Sequence, residues 1–310
     1  PIYLRYTMVR VTEVMNGVYQ IDLEPGGFSN LVSVYAVNTG RGIIVFEGGP
    51  AVSSNDLRNA LRGLPGNVTH SFITHVHIDH YGGTGALTAL NPNVEVYVHP
   101  RGSRVLPNPD IIWAPAREAM GWLGELYGKP LEIPGGNTRE TRDGDRVTIG
   151  DVTVEVIHTP GHASHHQSFI VEPWNILIVG DAAGIYVKDL DYIIPTTMEP
   201  LRFDLYVDSI KKLIAKNPRY IAYTHHLLVP NATDLLNRHL RQVDVWGRAA
   251  EEAVREGLRV NDLERILLER DQDLRRVYDR LRNMRAHYHL FGMAIDGLYK
   301  YFRDIESKRR

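Results

Sequence analysis

Apolar positions along this chain change period several times, and each change marks an element. Residues 9–15 and 18–23 alternate on either side of Asn16-Gly17, a two-residue hairpin signal. Residues 31–37 read as a third strand. Residues 42–46 form a short, wholly apolar run that ends in Glu47-Gly48-Gly49-Pro50. From 54 to 64 the apolar side chains Leu57, Ala60, Leu61 and Leu64 have helical spacing, with Ser53 or Ser54 as N-cap. A buried type of strand over 71–74 runs straight into Thr74-His75-Val76-His77-Ile78-Asp79-His80-Tyr81-Gly82-Gly83. A helix over 85–90 and a strand over 94–98 follow.

Residues 100–145 break the pattern with Pro100, Pro107, Pro109, Pro115, Pro130 and Pro134, around one helix over 116–127. A long irregular stretch in a folded protein is more often functional than accidental, so it reads as a lid or pocket wall. Strands return at 152–158, ending in Thr159-Pro160-Gly161-His162, and then at 168–171 and 175–179. The last of these ends in Gly180-Asp181-Ala182-Ala183-Gly184. A helix over 203–215 leads to a strand over 220–223 that ends in Thr224-His225-His226. After Asn231 only helical periodicity remains. The chain thus divides into a mixed domain over 1–230 and a helical domain over 231–310. Trp246, Leu263, Leu267, Leu274, Leu281, Phe291 and Leu298 of the latter fall at core spacing. Its arginines make a solvated face, with a substrate-covering or dimerising surface as the functional alternative.

Composition narrows the partners. The 310 residues carry a net charge of -2, which gives no general attraction to nucleic acid or an anionic membrane. No apolar run approaches the ~20 residues that span a bilayer. Pro1-Ile2-Tyr3-Leu4-Arg5 lacks the basic start and apolar run of a secretory leader. A cytoplasmic protein acting on a small molecule is expected, with no membrane, nucleic acid disfavoured, and a homodimer compatible. There are no cysteines, hence no thiolate metal site.

The chemistry concentrates in His75, His77, Asp79 and His80. Four donors in six residues exceed what one ion needs from one loop, and imidazole with carboxylate suits Zn²⁺ first, and also Fe or Mn. Such a cluster without partners could be a solvated loop. His162, Asp181 and His225 argue otherwise, since each follows a strand end, where ligands collect in sheet proteins.

The motif His75-x-His77-x-Asp79-His80, followed in order by Pro-Gly-His162, Gly-Asp181 and the terminal-strand His225, resembles the metallo-β-lactamase superfamily over roughly residues 10–230. The resemblance implies an α/β (α+β) fold, a four-layer αβ/βα sandwich, here with a C-terminal all-helical extension. It implies two divalent metal ions, the first on His75, His77 and His162, the second on Asp79, His80 and His225, with Asp181 bridging. His226 adjoins His225 and is the alternative ligand. Glu47 stands where the family usually has Asp, close behind the ligands. His158, His165 and His166 are either supports of the ligands or ordinary packed and surface residues.

Two cations sharing a water lower its pKa toward neutrality, and the hydroxide so formed attacks an electrophilic carbon or phosphorus. Asp79 and Asp181 supply the negative charge that keeps the cations close. Tyr186 and Tyr192 are candidate proton donors to the leaving group, with packing as their other role. β-Lactamases with a Cys ligand are excluded by composition. The diiron redox branch carries a carboxylate where His77 stands, and the nuclease branch needs an inserted domain. The expected activity is hydrolysis of an ester-type bond: phosphodiester, phosphotriester, lactone or thioester, the last as in glyoxalase II. Ile111, Ile112, Trp113 and Trp122 of the lid, with Tyr192, Ile193 and Ile194, would favour a partly apolar substrate or else pack internally.

Overall fold

The computed structural model describes residues 9–309, so the leader expectation on Pro1–Arg5 lies outside the described residues. By its contacts the chain divides into two compact units. One runs to Thr141 and adds Val147–Thr153; the other is Arg142–Arg146 with Val154–Arg310.

The first sheet takes seven strands in sequence order: β1 (Arg10–Met15), β2 (Val18–Asp22), β3 (Ser33–Asn38), β4 (Ile43–Phe46), β5 (Val68–Phe72), β6 (Glu95–Val98) and β7 (Thr138–Glu140). The expected hairpin forms, with Met15 opposite Val18, Gly17 in the turn at φ 75°, and a register shift on β1 between Glu13 and Met15. β1 to β4 pair antiparallel, whereas β4, β5, β6 and β7 run parallel. All four residues of β4 are buried, as a central strand covered on both faces requires. Parallel neighbours end at the same edge of a sheet. Glu47, after β4, and the histidine loop, after β5, therefore emerge side by side.

The helices of this unit are α1 (Ser54–Arg62), α2 (Ile78–Tyr81), α3 (Pro100–Ser103), α4 (Asp110–Met120) and α5 (Trp122–Tyr127). Two expectations are corrected here. The helix placed over 85–90 is a 3₁₀ segment, Thr84–Ala89. The helix placed over 116–127 is two helices broken at Gly121, whose φ of 56° and ψ of -130° lie outside any helix, and the first begins before Pro115 rather than after it.

The second sheet has the order β15-β14-β11-β10-β9-β8. Its strands are β8 (Arg146–Ile149), β9 (Val152–His158), β10 (Gln167–Glu172), β11 (Ile176–Ile178), β14 (Tyr220–Ala222) and β15 (Leu228–Pro230). β12 (Ile185–Val187) and β13 (Tyr192–Ile194) form a separate ribbon. β11 and β14 are parallel neighbours, so Asp181 and His225 follow strand ends at one edge. Helix α6 (Phe203–Ala215) packs Leu213 against Ile157, Leu177 and Ile221 of this sheet, together with Leu236 of α7 (Ala232–Arg255).

Beyond α7 come α8 (Val260–Arg270), α9 (Gln272–Arg282) and α10 (Arg285–Arg309). The expected helical segment is present, and the fold is mixed α/β with C-terminal helices. Helix α7 buries Leu236, His239, Val243, Trp246, Ala250 and Ala253, a stripe with the period of 3.6. Trp246 meets Phe291 of α10 edge to face at 5.8 Å. No helix among the described residues is long and apolar enough to cross a membrane.

Candidate metal centre

After β5 the chain carries His75 and His77 on a loop and Asp79 and His80 on the short helix α2, so these side chains are not sent alternately to opposite faces as on a strand. His75, Asp79 and His80 are buried and His77 is half-buried. His75 Nε2 lies 2.9 Å from His77 Nδ1, and the rings of His75 and His80 are centred 4.1 Å apart. Asp79 Oδ2 is 3.9 Å from His80 Nε2.

Glu47 organises this loop. It is fully buried and holds φ at 69°, a conformation L side chains rarely adopt. Its Oε1 accepts from Thr74 Oγ1 at 2.5 Å and from His80 Nδ1 at 3.0 Å, and its Oε2 accepts from Thr74 N at 3.2 Å. With its own proton given to Glu47, the Thr74 hydroxyl accepts from His75 Nδ1 at 3.0 Å. Two imidazoles are thereby fixed with the proton on the outer nitrogen and the lone pair of Nε2 facing inward.

The second unit repeats the device. His162, Asp181 and His225 are buried. His162 Nδ1 donates to the Thr196 carbonyl at 2.8 Å. Its Nε2 then faces Asp181 Oδ2 at 3.2 Å, and the other carboxylate oxygen lies 3.6 Å from His225 Nε2. The carboxylate thus turns one oxygen to each histidine. His226 follows at φ 128°.

Two acceptors 3.2 Å apart repel unless a cation sits with them. The chemistry of the set, neutral imidazole nitrogens with carboxylate oxygens, is that of a divalent metal site. Histidine and aspartate side chains here could hold a metal ion.

His166 is fully buried. Its Nε2 accepts from the Asp181 backbone N–H at 2.9 Å, and its Nδ1 donates to Thr159 Oγ1 at 2.8 Å. Thr159 continues to Ser168 and Ser168 to the Val179 carbonyl, both at 3.0 Å. His166 therefore holds the backbone of Asp181. His165 is only partly covered, and burial pushes its imidazole down to about 4. His158 is half-buried, with its N–H on Asp143 at 2.8 Å.

The two tyrosines considered as proton donors are engaged elsewhere. Tyr192 is fully buried and donates to Asp271 at 3.3 Å, and burial raises its pKa well above the usual phenol range. Tyr186 donates to Asp191 at 3.1 Å and stacks on Tyr223. Ile193 and Ile194 are core residues. In contrast α4 buries none of its residues: Ile111 is 44% exposed, and Trp113 is half-buried with Arg117 over its ring. Trp122 packs on Phe28.

Gly161 sets His162 against α6. A Cβ there would lie 2.3 Å from Tyr206 Cα and 2.4 Å from Tyr206 N, and φ is 143°. Gly161→Ala is expected to cost about 2 kcal/mol or more, from strain at a special backbone position. Urea unfolding reads that cost, and a change within ~0.5 kcal/mol would show that the approach is not needed.

A profile of the Metallo-beta-lactamase superfamily matches residues 29–225, and the chain belongs to that superfamily, whose members are hydrolases. It is 26% identical over 259 residues to the Metallo-beta-lactamase fold-containing protein ST1585 of Sulfurisphaera tokodaii, a match covering 79% of this chain and 94% of that one. It is 24% identical over 174 residues to the Atrochrysone carboxyl ACP thioesterase of Aspergillus fumigatus, covering 55% of this chain and 34% of the relative, so about a third of the thioesterase's length is matched. Among solved structures, ST1585 from Sulfolobus tokodaii has a TM-score of 0.64 at 25% identity, over 73% of this chain and 85% of that one. The metallo-beta-lactamase family protein TTHA1429 from Thermus thermophilus shares the fold at a TM-score of 0.66 and 17% identity, over 95% of each chain.

Proposed function

We propose that this protein is a dinuclear metal-dependent hydrolase of ester-type bonds in a small, partly apolar substrate. His75, His77 and His162 would hold one ion, Asp79, His80 and His225 the second, with Asp181 shared between them. The observation that carries this is the orientation of His75, His80 and His162. Each has its outer nitrogen tied to an acceptor, so that Nε2 presents a lone pair inward.

When bound, two divalent ions supply Lewis acidity and make water a nucleophile at neutral pH. The chain's own residues do the rest. Glu47 and the Thr196 carbonyl orient the imidazoles and raise their basicity. Asp79 and Asp181 bring the negative charge that offsets repulsion between two dications. The exposed Ile111 of α4, with the half-buried Ile112 and Trp113 beside it, favours a partly apolar acyl or alkyl group. The segment 100–145 then serves as a pocket wall.

Among the ester types, a thioester is favoured by the name of the fungal relatives. Two of them, from Aspergillus fumigatus and Emericella nidulans, are called atrochrysone carboxyl ACP thioesterase. Elemental analysis of the purified chain, run beside a panel of a thioester, a lactone, a phosphodiester and a phosphotriester, tests the reading. Two zinc-like ions per chain and one clearly preferred ester are expected, with activity lost on chelation and restored by Zn²⁺. Predominantly iron with no hydrolysis would sink the hydrolase and favour redox chemistry.

A further inference from the structure

The loop between β13 and α6 carries Thr196, which touches two of the three donors of the second unit, His162 and Asp181. Its carbonyl accepts from His162 Nδ1 at 2.8 Å, and its hydroxyl donates to the Asp181 carbonyl at 2.5 Å. Thr196 is fully buried and is itself held from behind. Its N–H points at Tyr206 Oη at 3.4 Å, and its Oγ1 lies 2.9 Å from the same oxygen. Tyr206 in turn reaches His239 Nε2 on α7 at 2.8 Å.

Proton accounting gives this chain a direction. The Gln242 amide nitrogen donates to the Ile193 carbonyl at 3.0 Å and to Asp271 at 3.2 Å, so its oxygen is the atom that meets His239 Nδ1 at 3.2 Å. An amide oxygen only accepts, so Nδ1 carries the proton. Burial holds the imidazole down to about 4, so it is neutral at working pH and its Nε2 accepts from the Tyr206 hydroxyl. The phenol stays protonated because burial raises its pKa. Asp271, the far anchor, also accepts from Trp246 Nε1 at 2.9 Å. The next residue of the loop is tied to the same helical segment, since Thr197 Oγ1 donates to the Ala294 carbonyl of α10 at 2.8 Å. A Cβ on Gly297 of that helix would sit 2.3 Å from the Thr197 carbonyl oxygen.

We propose that Thr196, Tyr206 and His239 are positioning residues through which the C-terminal helices hold His162 and Asp181 in metal-binding geometry. The inference rests on the reading of those two side chains as metal donors. The helical segment is then part of the metal centre's support as well as a wall or cover. Each member is buried. The Thr196 hydroxyl gives its proton to the Asp181 carbonyl and the phenol gives its own to His239, so the Thr196 N–H is what joins the loop to Tyr206, and loss of either link loosens the loop that aims both donors. Supports of this kind set metal affinity by about 10–100-fold.

The test compares Zn²⁺ affinity, by competition with a chromophoric chelator, in the full chain and four variants. The temperature is chosen so that circular dichroism shows every sample folded. Tyr206→Phe and His239→Leu are expected to weaken Zn²⁺ binding ~10–100-fold. His239→Gln, whose amide oxygen can still accept from Tyr206, should stay within ~3-fold of wild type. Val243→Ala, a buried change on the same helix outside the chain of contacts, should lower Tm and leave Zn²⁺ affinity alone. If either Tyr206→Phe or His239→Leu fails to fold, the other decides. A folded variant of these two with wild-type affinity overturns the proposal, as does Val243→Ala loosening the metal equally. A wild-type chain that holds no Zn²⁺ overturns the functional reading and this one with it. Two ions held by the wild type, and as tightly by Tyr206→Phe, overturn this one alone.

Discussion

Asp181→Asn is expected to lower kcat/KM by ~10³-fold and to strip metal from the purified protein. A metal ion supplies several kcal/mol to the transition state, and each 1.36 kcal/mol is tenfold in rate. The carboxylate turns one oxygen to His162 and the other to His225. The amide keeps the shape but gives up the charge and one acceptor. Its nitrogen would donate to His162 Nε2, whose proton lies on the other ring nitrogen because of the Thr196 carbonyl. The metal-free protein therefore loses a repulsion and gains a hydrogen bond of ~1 kcal/mol. Activity and metal content should fall while the Tm of the chelator-treated protein holds or rises. Steady-state kinetics, metal per chain and thermal melts after chelation check the three parts. A variant that retains two ions and works within tenfold of wild type would refute the bridging role.

What the sequence made legible follows from where each feature lies along the chain. The hairpin at Asn16-Gly17, the wholly apolar β4 and the core spacing of Trp246, Leu263, Leu274 and Phe291 are local patterns, and each appears as read. The strand-end placement of His75, His162, Asp181 and His225 was legible for the same reason. Short apolar runs stop where turn residues begin. β7, β8, β12, β13 and β15 were not legible. Each has only three or four residues, too few to show a period, and β7 (Thr-Arg-Glu) carries polar residues at an edge. The equally short β11 and β14 were legible because Gly180-Asp181 and Thr224-His225 end them. α4 was misplaced because Pro115 reads as a breaker, yet the helix runs through it, and Gly121 makes the real break.

The supports of the donors were the least legible of all. His166 read equally as a support of the ligands and as an ordinary packed or surface residue, and His239 was not singled out. Their meaning is set by partners 15 and 33 positions away, Asp181 and Tyr206. No periodicity encodes such a pair. A sequence signal did exist in weak form. A lone histidine among the apolar positions of an amphipathic stripe, as His239 is among Leu236, Val243 and Trp246, must find a hydrogen-bond partner once buried. That rule flags the residue without naming the partner.

Glu47→Ala is expected to be the most destabilising single change near the histidine loop, at about 4 kcal/mol. Removing the carboxylate leaves three buried donors without their acceptor: Thr74 N, Thr74 Oγ1 and His80 Nδ1. Each such group costs about 1–3 kcal/mol, and water entering the space returns part of that. The left-handed backbone at this position remains strained in the alanine variant, so no relief offsets the loss. Glu47→Gln should be milder, at ~1–2 kcal/mol. Its oxygen still accepts from Thr74 and His80, but its nitrogen now faces the Thr74 N–H donor to donor. Both variants should hold metal more weakly, by ~10–100-fold, because His80 loses the charge that makes its Nε2 a strong donor. Urea unfolding of the metal-free proteins separates the fold's share from the metal's. If Glu47→Ala unfolds within ~1 kcal/mol of wild type, the carboxylate is not what holds the ends of β4 and β5 together. The strained backbone at Glu47 would then need another cause.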